Sequence, residues 1–188
     1  MSIPMDKLPQ KSERYTYADY CTWDDSKRWE LIDGVAYAMV PGPTGTHQEI
    51  SGELHRQLAN YLRGRPCKVF AAPYDVRLSA DSDDDTVVQP DLVVVCDRTK
   101  LSEAGCKGAP DLVIEIVSPS TARHDKLIKF NLYKKAGVRE YWIVDPDSKT
   151  VSVHFLESGT YNVYGDEGTV SVQVLDGCEI ILPDVFAP

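Results

Sequence analysis

Two almost unbroken apolar segments, Asp91–Cys96 and Asp111–Val117, constrain most strongly what this chain can fold into. Each is predicted to be a strand that is buried on both faces of a sheet. Apolar residues at helical spacing predict two helices, His47–Leu62 with Thr46 as its cap and His124–Ala136, that would cover such a sheet. Strands that alternate with substantial helices favour an α/β or α+β fold, with one mixed sheet and helices packed on it.

Turn signals divide the rest of the chain. Asp33-Gly34 is a preferred pair for a two-residue hairpin turn, because both positions need positive φ, so a hairpin is predicted over residues 28–39. Thr16 and Asp19 form a capping-box pattern that predicts a short helix reaching about Trp23. Further strands are predicted at Cys67–Leu78, Arg139–Asp145, Thr150–Leu156, Tyr161–Tyr164, Val170–Val174 and Glu179–Leu182.

The length and composition suit one domain. A chain of 188 residues, 43% of them hydrophobic, can bury a real core, and we assign residues 1–14 to a flexible arm and 15–188 to a single domain. No segment approaches the roughly 20 apolar residues of a membrane span, and the N-terminus lacks an apolar signal core. The five cysteines are odd in number and never spaced C-x-x-C, which speaks against a disulfide framework or a zinc site and favours a reducing cytoplasm.

The overall charge counts against binding to nucleic acid. The chain has 20 Lys and Arg against 29 Asp and Glu, a formal net charge of −9, whereas affinity for nucleic acid comes from cations that neutralise phosphates. Any such site therefore needs a local basic face. Residues 121–140 are rich in Lys and Arg, and Lys134, Lys135 and Arg139 fit either a basic patch or an ordinary solvated face.

One acidic residue lies in the middle of a strand that is predicted to be buried. Side chains alternate along a strand, so Glu115 shares a face with Val113 and Val117, and its carboxylate is costly to desolvate unless a cation pairs with it. Asp91, after Pro90, places a second carboxylate at the start of the preceding strand. We expect both carboxylates at the C-terminal half of one face of the sheet, where oxygen ligands with room for water and phosphate would suit Mg²⁺.

The next helix offers the cation. Asp125, Lys129 and Tyr133 are spaced by four residues, so they lie on one face of this helix, beside its buried stripe. Lys129 is therefore placed to reach the two carboxylates. A purely structural ion pair between Glu115 and Lys129 is the competing interpretation.

Six short motifs follow one another along the chain in a distinctive order. They are Trp29–Gly34, Gly42–Ile50, Gln89-Pro90-Asp91-Leu92, residues 109–120, Asp125-x-x-x-Lys129-x-x-x-Tyr133 and residues 137–146. The series resembles the Uma-two family, a bacterial family of the PD-(D/E)XK restriction-endonuclease-like superfamily. The resemblance spans roughly residues 15–185, and the ordered series is far more specific than any one motif.

The resemblance implies a restriction-endonuclease-like fold, a mixed sheet flanked by helices with an extra N-terminal hairpin and C-terminal strands. It also implies an endonuclease that hydrolyses DNA phosphodiester bonds with Mg²⁺, or with Mn²⁺ in its place. Asp91 and Glu115 would correspond to the metal-binding acidic residues of the superfamily. Glu30, in the resembling hairpin, would be an extra acidic member of the site.

One position departs from the superfamily pattern. Val117 stands where the signature lysine is expected, and the resemblance implies that the helix supplies the lysine instead, as Lys129, with Lys126 as the second choice. The departure and the charge of −9 also fit a nuclease-fold protein that has lost catalysis and acts as a binding or assembly module. A metal-dependent hydrolase of a non-nucleic phosphoester is the third hypothesis, which the acidic surface would suit.

Two polar residues near these motifs have structural interpretations. Asp111 follows Pro110 at a strand start, where its carboxylate can accept from turn amides. His47 is assigned to the beginning or edge of a helix rather than to a catalytic base.

A homodimer is also expected. Two active sites related by a two-fold axis would cleave both strands of a duplex. Tyr141 and Trp142, together with the C-terminal strands, would offer the apolar surface.

Overall fold

The computed structural model of the chain describes residues 13–23, 27–39, 42–79, 84–117 and 124–187, and describes the backbone alone for residues 124–127. Its helices are α1 (Tyr17–Tyr20), α2 (Gly45–Leu62), α3 (His124–Ala136) and α4 (Leu182–Val185), with a short 3-10 turn at Arg98–Lys100. The strands are β1 (Trp29–Ile32), β2 (Val35–Ala38), β3 (Lys68–Ala71), β4 (Val76–Arg77), β5 (Val87–Val88), β6 (Leu92–Val95), β7 (Leu101–Ser102), β8 (Gly105–Lys107), β9 (Leu112–Ile116), β10 (Glu140–Asp145), β11 (Thr150–Phe155), β12 (Thr160–Tyr164), β13 (Thr169–Ser171) and β14 (Glu179–Ile181).

These strands form two six-stranded mixed sheets and a small hairpin. The central sheet has the order β12-β11-β10-β9-β6-β3, in which β9 and β10 are parallel and the other neighbours are antiparallel. The second sheet has the order β2-β1-β5-β4-β8-β7, and β13 pairs with β14. A mixed α+β architecture is therefore confirmed.

The expectation of one sheet is wrong. The strand predicted over Cys67–Leu78 is two strands, β3 in the central sheet and β4 in the second. Pro73 lies between them and has no N–H to donate to a ladder, which is a physical reason for the strand to end before it. The short strands β5, β7 and β8 complete the second sheet and have no clear pattern in the sequence.

Helices cover both faces of the central sheet. The buried stripe of α2, formed by Ile50, Leu54, Leu58 and Leu62, belongs to one hydrophobic cluster with Leu112, Ile114 and Trp142 of the sheet and with the C-terminal segment. On the other face, Leu132 and Tyr133 of α3 belong to a second cluster with Val93, Val113 and Tyr141, to which Val76 and Val88 of the second sheet also belong. Burial of the strands on both faces is as predicted.

Local signals set the element boundaries. The hairpin turn has positive φ at Asp33 (46°) and Gly34 (75°), as its residue pair predicts. The capping box of Thr16 and Asp19 is present, although α1 ends at Tyr20 rather than near Trp23. Helix α2 begins two residues earlier than predicted, because Thr44 rather than Thr46 is its cap and its side chain accepts from the N–H of His47 at 3.3 Å.

The remaining bounds agree closely with prediction. Helix α3 has the predicted bounds, and Gly137 follows it with φ of +91°. The strands predicted after residue 138 are all present, most of them shorter by one or two residues.

A disulfide joins Cys67 and Cys96, contrary to the expectation from cysteine spacing. Lys68 of β3 pairs with Val95 of β6 in an antiparallel ladder, so the cysteines just outside these two strands lie opposite each other. Spacing along the chain carries no information about such a cross-strand pair. The inference of a reducing cytoplasm, which depended on unpaired cysteines, loses this support.

Two further expectations concern membrane-spanning helices and the N-terminal arm. Among the described residues, no helix combines the length and the apolar character needed to cross a bilayer. Residues 1–12 of the predicted arm lie outside the described residues.

Candidate active site

A cleft of about 960 Å³ opens beside one end of the central sheet. One wall is the β1–β2 hairpin, with Arg28, Tyr37 and Met39, and the facing wall is the first half of α2, from His47 to His55. The ends of β6 and β9 and one side of α3 form the floor. All four acidic and basic residues predicted for the site line this cleft: Glu30, Asp91, Glu115 and Lys129.

The two predicted metal ligands lie on adjacent strands. Leu92 pairs with Ile114 in the antiparallel β6–β9 ladder, which places Asp91 and Glu115 opposite each other one residue further along. The Asp91 carboxylate accepts from the backbone N–H of Ile116 at 2.7 Å. Antiparallel pairing brings the start of β6 beside the end of β9, so both carboxylates lie at the same end of the sheet, although Asp91 precedes its strand.

Glu115 is held by two donors from α3. Its Oε1 accepts from the hydroxyl of Tyr133 at 2.7 Å and from Nζ of Lys129 at 3.1 Å. Spacing by four residues places both donors on one face of the helix, as predicted. The side chains of Asp125 and Lys126 lie outside the described residues, so the structure describes the contacts of Lys129 but not those of Lys126.

Lys129 also contacts the N-terminal hairpin. Its Nζ lies 3.0 Å from Oε1 of Glu30, and the same oxygen accepts from the backbone N–H of Gln89 at 3.0 Å. One ammonium group thus connects β1, β9 and α3. Glu30 therefore lies in the cleft beside the other candidate residues.

Burial and mutual charge set the protonation of this cluster. Burial raises the pKa of the Glu115 carboxyl to about 7 against the attraction of Lys129, and the negative charges of Asp91 and Glu30 act in the same direction as burial. Burial alone would lower the pKa of Lys129, but its two carboxylate partners outweigh burial and raise it, so the ammonium stays charged. Burial first, and then the nearby carboxylates, raise the pKa of Tyr133, which remains a neutral donor.

His47 belongs to the site, which the sequence interpretation missed. Its Nε2 lies 3.2 Å from Oδ1 of Asp91. The hydrogen bond to Asp91 raises the pKa of His47 against the opposing effect of burial, and the charge of Glu115 adds to the increase. The sequence carries two signals: His47 lies within the Gly42–Ile50 motif, and it follows the cap Thr44 by three residues, in the first turn of a helix that begins at the cleft.

The other candidate residues lie away from the cleft. Asp111 has the predicted structural role, since its carboxylate accepts from the N–H of Cys96 at 2.7 Å and pairs with Arg139 at 2.8 Å. Lys134, Lys135 and Arg139 do not line the cleft, and all three are exposed. Lys135 lies 3.8 Å from Asp33, and the contact of Arg139 is the one with Asp111. The interpretation of these three residues as a solvated face is favoured.

The central mixed sheet, covered by helices on both faces, defines the class as a restriction-endonuclease-like fold. Over residues 16–182 the chain matches the family described as "Uma2: Putative restriction endonuclease". The chain belongs to this family, and the resemblance found in its sequence is confirmed.

Similar proteins are found in cyanobacteria. The uncharacterized protein slr1290 of Synechocystis sp. is 28% identical over 139 residues, which cover 72% of this chain and 71% of that protein. A second uncharacterized Synechocystis protein, sll1609, is 25% identical over 135 residues, which cover 69% of this chain and 74% of the other.

A solved structure has the same fold. It is described as a "putative nuclease belonging to DUF820 from Anabaena variabilis ATCC 29413" and superposes with a TM-score of 0.75. The match covers 92% of this chain and 98% of the other, at 22% sequence identity. This similarity shows that the two chains share a fold.

Proposed function

We propose that the protein is a metal-dependent nuclease that hydrolyses phosphodiester bonds in the cleft. Asp91 and Glu115 would hold a divalent cation, Mg²⁺ or Mn²⁺, and Lys129 would act beside them as the displaced lysine. The observation that carries the proposal is the meeting of these three side chains at the cleft floor, from two strands and a helix. Membership of a family described as restriction endonucleases points to the same chemistry.

The charge of the cleft supports a bound cation. Within the described residues, four carboxylates line the cleft, those of Glu30, Asp91, Glu115 and Asp147, against the cations Arg28 and Lys129. Burial raises the pKa of Glu115, and the negative charges of Asp91 and Glu30 act in the same direction, against the opposing effect of Lys129. A divalent ion would balance the excess of negative charge.

The donor set fits Mg²⁺ better than a cation that needs a full protein cage. Among the described residues there is no group of three or more His, Cys, Asp and Glu side chains arranged to enclose a metal. Mg²⁺ is often bound by one or two carboxylates, with water and substrate phosphate completing its shell. Asp91 and Glu115, recessed in an open cleft, match that description.

The protein's own groups have separate parts in the reaction. A divalent ion supplies Lewis-acid stabilisation of phosphate charge and activation of water. Lys129 stays charged and lies at the cleft floor, where a cation stabilises the negative charge that develops on the phosphate. Tyr133 and Gln89 hold Glu115 and Glu30 in place through their hydrogen bonds.

A catalytically inactive binding module is the competing function. The specific observation in its favour is that Lys129 already has two carboxylate partners, so its charge is satisfied without a substrate. The buried pair then needs no catalytic explanation.

Cleavage of DNA by the purified protein separates these functions. We expect cleavage with Mg²⁺ or Mn²⁺, none with EDTA, and none from Glu115→Gln, which keeps the shape of the side chain and removes its charge. The two ions should also raise the melting temperature of the parent by mass action, but not that of Glu115→Gln. Absence of metal-dependent cleavage by a parent protein that is folded would contradict the proposal.

A further inference from the structure

The groups proposed to react with a phosphate are recessed. The side chains of Glu30, Glu115, Lys129 and Asp91 are 8, 12, 15 and 19% exposed, respectively. They lie between the β1–β2 hairpin and the first half of α2. A phosphate reaches them only by entering the space between these two walls.

The size of this space restricts what can enter. A volume of about 960 Å³ is in the range of clefts that enclose a molecule of drug or cofactor size. A segment of a few nucleotides of one strand fits such a space. A duplex presents its phosphates on the outside of a rigid cylinder, so a segment of one strand suits this space better.

The charges of the cleft also disfavour a duplex. Duplex affinity grows with the number of phosphates that lysine and arginine neutralise. Among the described residues that line the cleft, Arg28 and Lys129 supply the lysine and arginine cations, and Lys129 is paired with two carboxylates. Lys134, Lys135 and Arg139, which could have extended a cationic track, do not line it.

The hairpin wall presents an aromatic ring to the cleft. Tyr37 on β2 lines the cleft and is 43% exposed. Unpaired bases stack on exposed aromatic side chains, and this contact is largely independent of sequence. Arg28 lies on the same wall and can contact a phosphate of the strand.

On the basis of the proposed nuclease activity, we propose that the substrate is single-stranded nucleic acid, with a base stacked on Tyr37 and the adjacent phosphodiester at the cleft floor. In the reaction the oxygen of water bonds to phosphorus, the ester P–O bond breaks, and a proton from the water ends on the departing oxygen. An unpaired strand end is the same substrate class, since it offers unstacked bases and a flexible backbone.

Binding can be tested without catalysis. Fluorescence anisotropy with a labelled oligonucleotide compares the single strand with the same sequence as a duplex, using the parent in EDTA and Glu115→Gln. We expect the single strand to bind at least tenfold more tightly than the duplex. Equal affinity, or tighter binding of the duplex, would overturn the proposal.

A matched pair of variants tests the stacking contact. Tyr37→Ala should weaken single-strand binding by about tenfold, the typical effect of losing one stacked base. Val35→Ala is the control, because Val35 lies two residues earlier on the same face of β2, is 39% exposed, and does not line the cleft. If the two variants bind alike, the stacking role of Tyr37 is wrong.

Cleavage assays separate failure of this inference from failure of the proposed activity. With Mn²⁺, preferential cleavage of the duplex would overturn the substrate class and leave the nuclease assignment standing. Single-strand binding without cleavage would support the substrate class and favour the binding module instead. The same assays with a DNA strand and an RNA strand of matching sequence identify the sugar of the substrate. Stacking and phosphate contacts are available to both and do not determine it.

Discussion

Lys129 combines a structural with a proposed catalytic role in one side chain. It bridges Glu30 and Glu115, so its removal would leave two buried carboxylates without a cation. Breaking a buried ion pair from one side costs about 3–5 kcal/mol in the free energy of unfolding. From the sequence alone, Lys129→Ala would be expected to keep the fold. The contact of Lys129 with Glu30, in addition to Glu115, changes that expectation.

We predict that Lys129→Met loses on the order of 10²–10³ in cleavage rate and is clearly less stable than the parent. The rate should be measured per folded molecule, below the melting temperature of the variant. Lys135→Met is the control, since Lys135 lies on the same helix with its side chain 81% exposed. Parental rates in both variants would show that Lys129 takes no part in cleavage.

His154 provides a pH dependence away from the proposed site. It packs among the rings of Phe130, Tyr141 and Tyr161, and its burial lowers its pKa below 6.5. The unfolded chain therefore takes up this proton more readily, so the contribution of His154 to stability is present above about pH 6.5 and is lost as the pH falls.

We expect His154→Gln to reduce the loss of stability between pH 7.5 and pH 5.5. The urea midpoint of each protein is measured at both pH values. The difference between the two midpoints leaves out the stability that the substitution loses through packing, because that loss is the same at both pH values. His55→Gln, a histidine on α2, serves as the control. If His154→Gln and the parent lose the same stability, the acid sensitivity has another origin.

Part of the site can be predicted from individual residues. Glu115 is conspicuous because a carboxylate in an apolar strand needs a partner, and Lys129 with Tyr133 follows from helical spacing. His47 meets Asp91 only because Thr44 caps α2 and the first turn of the helix lies beside the start of β6. That meeting depends on the placement of two elements in space, which local patterns do not contain.

At the scale of elements, the second sheet is what sequence patterns predicted least well. Its strands β4, β5 and β7 have two residues each, too short for alternation to be recognised. Long-range pairing defines them, as in the parallel contact of Val76 with Cys106. The buried strands of the central sheet are predictable because their apolar segments are longer.

Gly105 is a point where this sheet permits only a glycine. It has φ of +125°, and a Cβ there would collide with the carbonyl oxygen of Asp75. The side chain of Asp75 accepts from Gln89, whose backbone N–H in turn donates to Glu30. Backbone displacement at Gly105 would therefore shift Glu30 and the hairpin wall of the cleft through these hydrogen bonds.

We predict that Gly105→Ala lowers the free energy of unfolding by about 3 kcal/mol or more, and that Gly108→Ala costs about 1 kcal/mol. Gly108 also has positive φ, +81°, but a Cβ there meets no atom within 4 Å, so the difference isolates the collision. Chemical denaturation of the two variants measures it. Equal destabilisation would mean that β8 shifts to accommodate the methyl group.

For the whole molecule, one part of the surface expected to form a homodimer is not available. Tyr141 and Trp142 are buried in the two hydrophobic clusters, one on each face of the central sheet. Exposed apolar side chains lie instead on the edge strand β12, where Tyr161 and Val163 share one face. This strand contains no charged residue, and an uncharged edge is prone to pair with another strand.

We therefore keep the prediction of a homodimer and restrict its interface to β12, one of the C-terminal strands expected to take part. Light scattering should give about twice the chain mass of 21.0 kDa, and Val163→Lys should return it to one chain. Val35→Lys places the same charge on the edge of the second sheet and should leave the mass unchanged. A parent protein of about 21 kDa at micromolar concentration would contradict the prediction.

The antiparallel β6–β9 pairing makes the site sensitive to single-residue insertions and deletions. Because side chains alternate, adding one residue between Leu112 and Glu115 would turn the carboxylate toward α2, away from Lys129. A residue added in a connecting loop would change neither orientation. Among natural variants, length should therefore vary freely in the loops, while the spacing inside these two strands stays constant to the residue.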